Sequence, residues 1–388
     1  MTPAARVQTA IELLDEIIEG TPAEKVMTAW ARRSRFAGSK DRAAVRDHVF
    51  DVLRRRRSIL HADVAETGRA LMQGILTQDG ADLAVLFSGD GYGPSALTEE
   101  EQSILAAQAA EDVVDLPDWL QPLLLASLGD KFQENATEMR YRAPVFLRVN
   151  LKKSTRKDVI DRLLIDGVTA VASPLADTAL EVTEGPRKVQ NSGAFQAGEI
   201  EVQDASSQAA IETLPLQDGM RVLDYCAGGG GKTLAMGGRI AGTFVVHDAY
   251  PQRMRDLPFR AERAGLKIQT MDRDQLEQEP KFDMVFCDVP CSGSGVWRRS
   301  PDAKWRLSED DLADLCETQA SILKEASEFV LPESSLVYAT CSMLKEENQD
   351  QIDRFLKENT GWTCGATFHR SLSDGCDGFF MAQLTKAT

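Results

Sequence analysis

The sequence predicts a multidomain chain: an all-α N-terminal domain over residues 1–135, a small α+β subdomain over 136–205, and a C-terminal α/β domain of Rossmann-like type over 206–388. Three observations carry this. The first 75 residues show helical spacing. A strand-like run followed by a helical one appears after residue 140. From about residue 205, strands alternate with helices. A length of 388 residues also calls for two or three domains.

The first helix is read from Val7, Ala10, Ile11, Leu14, Ile17 and Ile18, and a second begins near Asp41 and carries Ala44, Val45, His48, Val49 and Leu53. This stretch is mildly basic, with Arg32, Arg33, Arg35, Lys40, Arg42, Arg46 and the run Arg54 to Arg57. Four consecutive arginines wrap most of a helical turn, so they cannot all face one partner. A solvated run and a polyanion-binding patch both remain open. Residues 76–135 are strongly acidic, with Asp79, Asp82, Asp90, Glu99, Glu100, Glu101, Glu111, Asp112, Asp115, Asp118, Asp130 and Glu134 opposed by Lys131. Residues 136–157 turn basic again. VFLRVNL alternates like a strand, and DVIDRLLIDG reads as a helix ending at Gly167.

In the last domain the expected strands are RVLDY (221–225), TFVVH (243–247), LKIQTM (266–271), DMVFCD (283–288) and SLVYAT (335–340). A helix before the last of these should start at Ser308, with Asp311 completing a variant capping box. Its buried face is read as Leu312, Leu315, Ile322, Leu323, Ala326, Phe329 and Val330.

The composition is that of a soluble globular protein, 43% hydrophobic and 27% charged. No run of 18 apolar residues and no signal-like core occurs, so no membrane association and a cytoplasmic location are expected. The seven cysteines are odd in number and lack a CxxC pair, which argues against a disulfide framework and against a metal site. The net charge of −16 is unusual for a nucleic-acid binder, so any such contact must use the basic segments.

Chemistry concentrates at the ends of the expected strands. VLDYCAGGGGKT (222–233) passes from a strand into a helix through four glycines, which let backbone approach a cofactor where a Cβ would intrude. A plain tight turn would show the same glycines. A phosphate-binding loop would need Gly at position 226, where Cys stands, and a dinucleotide fold remains open. Asp248 follows the second strand at the distance from which a carboxylate can accept ribose hydroxyls. DVPCSGSG (288–295) follows the fourth strand and ATCS (339–342) the fifth. Cys291 and Cys341 should therefore face one crevice, while Cys226, Cys287, Cys316, Cys364 and Cys376 read as ordinary buried thiols.

Together CAGGGGK, Asp248, DVPCSGSG and YATCS resemble the RNA cytosine-5 methyltransferases of the RsmB (Sun/Fmu) group. EVQDASSQ (201–208), GVWRRSPDAKW (295–305), TCSMLKEEN (340–348) and DGFFMAQL (377–384) are similar to the same family. FAGSKDRAAVRDHVFDVLRRRR (36–57) resembles its NusB-like N-terminal RNA-binding domain. The resemblance implies a class I methyltransferase domain that uses S-adenosylmethionine (SAM). Its substrate would be a cytidine in RNA, in small-subunit (16S) ribosomal RNA or in a transfer RNA, and the chain would act as a monomer. A non-catalytic RNA-binding assembly factor with this fold is the other reading, and the intact cysteine pair argues against it.

By the same resemblance Cys341 is the nucleophile, Cys291 assists proton removal and release, and Asp288 hydrogen-bonds the base edge. Cys226, Ala227, Gly228, Gly229, Gly230, Gly231, Lys232, Asp248, Asp272 and Asp288 would hold SAM. Tyr141, Arg142, Trp297, Arg298 and Arg299 are candidate stacking and phosphate contacts to RNA. The family pattern resembles CAAPGGK, so Gly228 and Gly229 stand where Ala and Pro are expected. A looser loop, and weaker SAM binding, would follow from the extra backbone entropy.

Overall fold

A computed structural model describes residues 1–60, 64–107 and 113–387. Glu111 and Asp112 of the acidic segment lie outside the described residues. The chain forms two compact units. The first comprises Met1–Leu125, Asp130–Arg142 and Trp297–Leu307, and the second Ala126–Gly129, Ala143–Val296 and Ser308–Thr388.

The first unit is helical. Its main helices are α1 (Pro3–Ile18), α2 (Ala23–Arg33), α3 (Ser39–Arg54) and α4 (Gly68–Gln78). The Thr2 hydroxyl accepts from the Ala5 amide to cap α1, and Pro3 sits at the first turn, where its missing N–H costs nothing. Val7, Leu14, Trp30, Val49, Leu53, Leu71 and Ile75 meet in one core.

The segment 297–307 closes the end of α3. Trp305 Nε1 donates to the Leu53 carbonyl (2.7 Å) and Lys304 Nζ to the Arg54 carbonyl (3.0 Å), satisfying acceptors that a helix end leaves open. Arg54 Nε donates in return to the Arg298 carbonyl (2.9 Å). Burial pulls the Lys304 ammonium down to about 7 against the opposing field of Asp115.

The four-arginine run is neither a solvated stripe nor an open cationic patch. Arg54 pairs with Asp51, Arg55 with Asp79, Arg56 with Glu66 and Arg57 with Asp118. Arg140 pairs with Asp115 and Arg69 with Glu101. Carboxylates of the acidic segment thus neutralise arginines of their own unit.

The second unit holds two sheets. The smaller is antiparallel in the order β2-β3-β1-β4, built from β1 (Val145–Val149), β2 (Thr169–Ala172), β3 (Ala179–Glu184) and β4 (Ile200–Val202), with α5 (Arg156–Ile165) packed on it. Then follow α6 (Ala205–Glu212), β5 (Arg221–Asp224), α7 (Gly231–Arg239), β6 (Thr243–Val246), α8 (Leu257–Ala264) and β7 (Ile268–Thr270). The chain continues through β8 (Phe282–Asp288), α9 (Glu309–Ser327), β9 (Val330–Thr340), α10 (Gln349–Glu358), β10 (Trp362–Arg370) and β11 (Phe379–Lys386).

The larger sheet has the order β10-β11-β9-β8-β5-β6-β7. β7, β6, β5, β8 and β9 are parallel, and β11 runs antiparallel to both of its neighbours, β9 and β10. Met284, Val285, Phe286 and Cys287 of β8 are all buried, the continuous apolar run of a strand covered on both faces. The order reverses between β5 and β8, and open α/β sheets bind ligands at the carboxyl ends beside such a point.

Each strand expected in this domain is present. The larger boundary differences lie at α9 and β9. α9 ends at Ser327, so Phe329 and Val330 do not extend its face; Val330 opens β9. β9 also starts five residues earlier than SLVYAT, through a segment where Glu333 adopts φ 58°. The Ser308–Asp311 capping box forms as read. No helix among the described residues is long and apolar enough to cross a membrane.

Candidate active site

The loops after β5, β6, β8 and β9 carry the candidate residues. Cys291 and Cys341, on the loops after neighbouring strands β8 and β9, lie with their sulfurs 3.4 Å apart. Their mutual hydrogen bond, then burial, then the charges of Cys341 and Glu347 push the Cys291 thiol well above its ordinary range. Cys291 is thereby kept a thiol, and either sulfur can donate in their contact.

Glu347 fixes this pair. It is fully buried, and Ser292 and Ser342, each the residue after a cysteine, both donate their hydroxyls to its carboxylate. The Ser292 amide (2.7 Å) and Gln319 Nε2 (3.0 Å) also donate to it. Gln319 reaches the Pro290 carbonyl as well, and Tyr338 donates to the Glu347 carbonyl (2.6 Å). Beneath them the Gly295 amide donates to the Cys341 carbonyl, and that of Gly378 to Gly295. Glu347 lies in the quoted TCSMLKEEN tract, yet sequence reasoning gave it no role. Its distance from Cys291 in the chain leaves no local signal.

Asp288, at the end of β8, accepts a 2.5 Å ion pair from Lys232. Burial pulls the Lys232 ammonium down, but Asp288, Cys341 and Asp224 outweigh it, and the net shift is upward. A firmly cationic group therefore stands within the field of Cys341. Lys232 also lies 5.5 Å from the centre of the Phe379 ring.

The glycine loop is tightly tied. The Tyr225 amide donates to Phe286 and the Ala227 amide to His247, continuing the sheet past β5. Gly228 and Gly230 have φ of 49° and 78°, conformations other residues adopt at a cost. A Cβ on Gly230 would come within 1.9 Å of Leu257 Cδ1, so close packing as well as conformation demands glycine there. A Cβ on Gly228 would approach only Asp248, at 4.0 Å, so this face of the loop is open.

Asp248 accepts the Gly228 amide (3.0 Å) on one oxygen and the Tyr250 amide (2.8 Å) on the other. Asp272 caps the helix Arg273–Gln278 by accepting the Gln275 amide. The open loop and the carboxylates of Asp248, Asp272 and Asp288 suit a nucleoside that carries a cationic sulfonium. Residues Cys226–Lys232 with these carboxylates would hold it. Cys226 lies in the loop, where burial and the charges of Asp224, Asp288 and Asp248 keep it a thiol. Burial likewise raises Cys287, Cys316, Cys364 and Cys376. All seven cysteines are free, and no metal-binding cluster occurs among the described residues.

The residues proposed for RNA contact fall differently. All five, Tyr141, Arg142, Trp297, Arg298 and Arg299, belong to the helical unit. Tyr141 is exposed, and Arg142 pairs with Asp47 at 2.8 Å. Arg299 is half-buried. Trp297 and Arg298 are buried, at 1% and 2% exposure, and Arg298 pairs with Glu138. The expectation that these two offer a stacking face is corrected: both side chains are buried.

Comparison with known proteins agrees with this architecture. Residues 211–385 match the family described as 16S rRNA methyltransferase RsmB/F, and residues 116–190 match its ferredoxin-like domain. The ribosomal RNA small subunit methyltransferase B of Xanthomonas campestris is 32% identical over 316 residues, 72% of this chain and 68% of that protein. The protein of the same name from an Enterobacter species is 33% identical over 307 residues, covering 74% and 70%. A solved methyltransferase homolog protein from Pyrococcus horikoshii has the same fold over 70% of this chain and 95% of its own, with a TM-score of 0.60 at 23% identity. With its sheet order, its glycine loop and these relatives, the chain belongs to the RsmB/F family of SAM-dependent RNA methyltransferases.

Proposed function

We propose that this protein transfers a methyl group to carbon 5 of a cytidine in small-subunit ribosomal RNA through a covalent adduct with Cys341. The observation that carries the reading is the 3.4 Å contact between two thiols at adjacent parallel strand ends, beside the Lys232–Asp288 pair. The names of the relatives support ribosomal RNA as the substrate. The helical unit is read as a NusB-like RNA-binding domain.

Cytosine carbon 5 is a weak nucleophile. Addition of the Cys341 thiolate to carbon 6 moves electron density onto carbon 5. SAM supplies an electrophilic methyl group. Asp288 stands to hydrogen-bond the ring near nitrogen 3 and stabilise the charge that develops there. The carbon 5 proton then passes to water, with Cys291, 3.4 Å from Cys341, assisting its departure, and the electron pair of that carbon–hydrogen bond re-forms the ring double bond and expels Cys341 as thiolate. The target base must be unstacked or presented in a loop to reach the thiol.

Methyl transfer to ribosomal RNA by Cys341→Ala and Cys291→Ala tests this. The first variant should lose transfer. The second should accumulate a protein–RNA adduct that survives denaturation. Undiminished transfer by Cys341→Ala would remove the nucleophile assignment. Bisulfite sequencing of RNA from a deletion strain identifies the cytidine.

A further inference from the structure

Four consecutive glycines should make a floppy loop, because glycine loses the most backbone freedom on ordering. The loop is nevertheless braced from two directions. Arg260 Nη1, on α8, donates to the Gly229 carbonyl. Arg148 Nη1, on β1, donates to the Gly231 carbonyl at 2.8 Å, and Gln203 Nε2 reaches the same oxygen at 3.3 Å. Neither guanidinium is loose. Arg260 is gripped by Glu201 of β4 at 2.9 Å, and the same carboxylate, only 7% exposed, also holds Arg263. Arg148 is buried and bonded to Gln203. Arg260 also fills the space beside the loop, since a Cβ on Gly229 would come within 2.9 Å of its Nη1.

We propose that Arg260, anchored by Glu201, is a positioning residue for the cofactor. It replaces the stiffness the glycines lack and fixes the loop before SAM arrives. Arg148 acts alongside it. The smaller sheet would then serve the cofactor site, because β1 supplies Arg148 and β4 supplies Glu201. The idea rests on the glycine loop's being the SAM cradle.

The test is SAM affinity of the full chain by calorimetry, together with hydrogen exchange of the amides of residues 226–231 without ligand. Arg260→Met should weaken SAM binding about ten-fold, as expected for loss of one charge-assisted hydrogen bond, and should speed exchange in the loop. Arg260→Lys keeps a donor and should stay within about three-fold of wild type. Gly229→Pro stiffens the chain by another route. It should restore affinity in the Arg260→Met background, where the space is free, and not in wild type. Unchanged affinity in Arg260→Met, weakened affinity with unchanged loop exchange, or no recovery with proline would overturn the proposal. Gly228→Val separates it from its premise. If that variant binds SAM normally, the loop is not the cradle. If it abolishes binding while Arg260→Met does not weaken it, only the brace fails.

Discussion

Removing Glu347 should disable the cysteine pair without touching either cysteine. Its Oε1 accepts two N–H donors, from Ser292 (2.7 Å) and Gln319 (3.0 Å), and its Oε2 accepts the hydroxyls of Ser292 and Ser342. Glu347→Ala leaves two amide-type donors and two hydroxyls in a fully buried space. Each unmet group costs about 1–3 kcal/mol, so the loops will move to find partners rather than bear that cost. A shift of about 1 Å in a reacting group costs on the order of 100-fold in rate, or about 2.7 kcal/mol of barrier. We therefore expect kcat to fall about 100-fold in Glu347→Ala, with SAM affinity within about two-fold of wild type, because the brace lies behind the thiols. Glu347→Gln should lose only about 3- to 10-fold. Its oxygen can serve both N–H donors, and the two hydroxyls can rotate to accept from its amide. The assay is transfer of labelled methyl from SAM to ribosomal RNA under saturating SAM. A Glu347→Ala enzyme within about three-fold of wild type would refute the argument that this carboxylate sets the sulfur–sulfur geometry.

Three further outcomes are expected. Burial raises Asp224 to about 7, so a proton is held in the folded state that the unfolded chain releases near its ordinary value. Stability from this group is fully present below about pH 4 and lost progressively as pH rises to about 7; Asp224→Asn should raise the melting temperature at pH 8 and leave it little changed at about pH 3.5, and an equal effect at both would contradict the assignment. Trp297→Ala should destabilise the protein by about 3–5 kcal/mol in denaturant unfolding, whereas a surface stacking residue would cost almost nothing. Arg55→Gln and Arg57→Gln should change RNA affinity less than about two-fold and leave its salt dependence unaltered, as measured by anisotropy at several salt concentrations, because both charges are already paired.

Much of the sheet was legible because its strands are apolar runs ended by polar loops. β8 is the plainest case. β10 was missed although Trp362, Cys364, Ala366 and Phe368 alternate along it: it is an edge strand with no fully buried residue, so that alternation marks no core face. β9 was read short because Pro332 and the left-handed Glu333 interrupt its beginning. The cysteine pair was legible because two thiols followed neighbouring strands. Its support was not, because only the fold carries Glu347, six residues past Cys341, and Gln319 to the Cys291 loop as well. Trp297 and Arg298 misled for a related reason. An aromatic beside arginines has the composition of an RNA-binding surface, and only the fold shows that they lie inside. The glycine loop was expected to be loose, and no local pattern announces that Arg148 and Arg260 hold its carbonyls.

The segment 297–307 has a consequence for synthesis. The helical unit is encoded first, yet the residues that close α3 leave the ribosome about 165 residues after Arg142. At roughly 5–20 residues per second that is a delay on the order of ten to thirty seconds. During it the Leu53 and Arg54 carbonyls lack their final partners. The first domain to be made must wait for the second to be largely translated before it is complete. A gene truncated before residue 297 would thus leave the helical unit without the segment that closes α3.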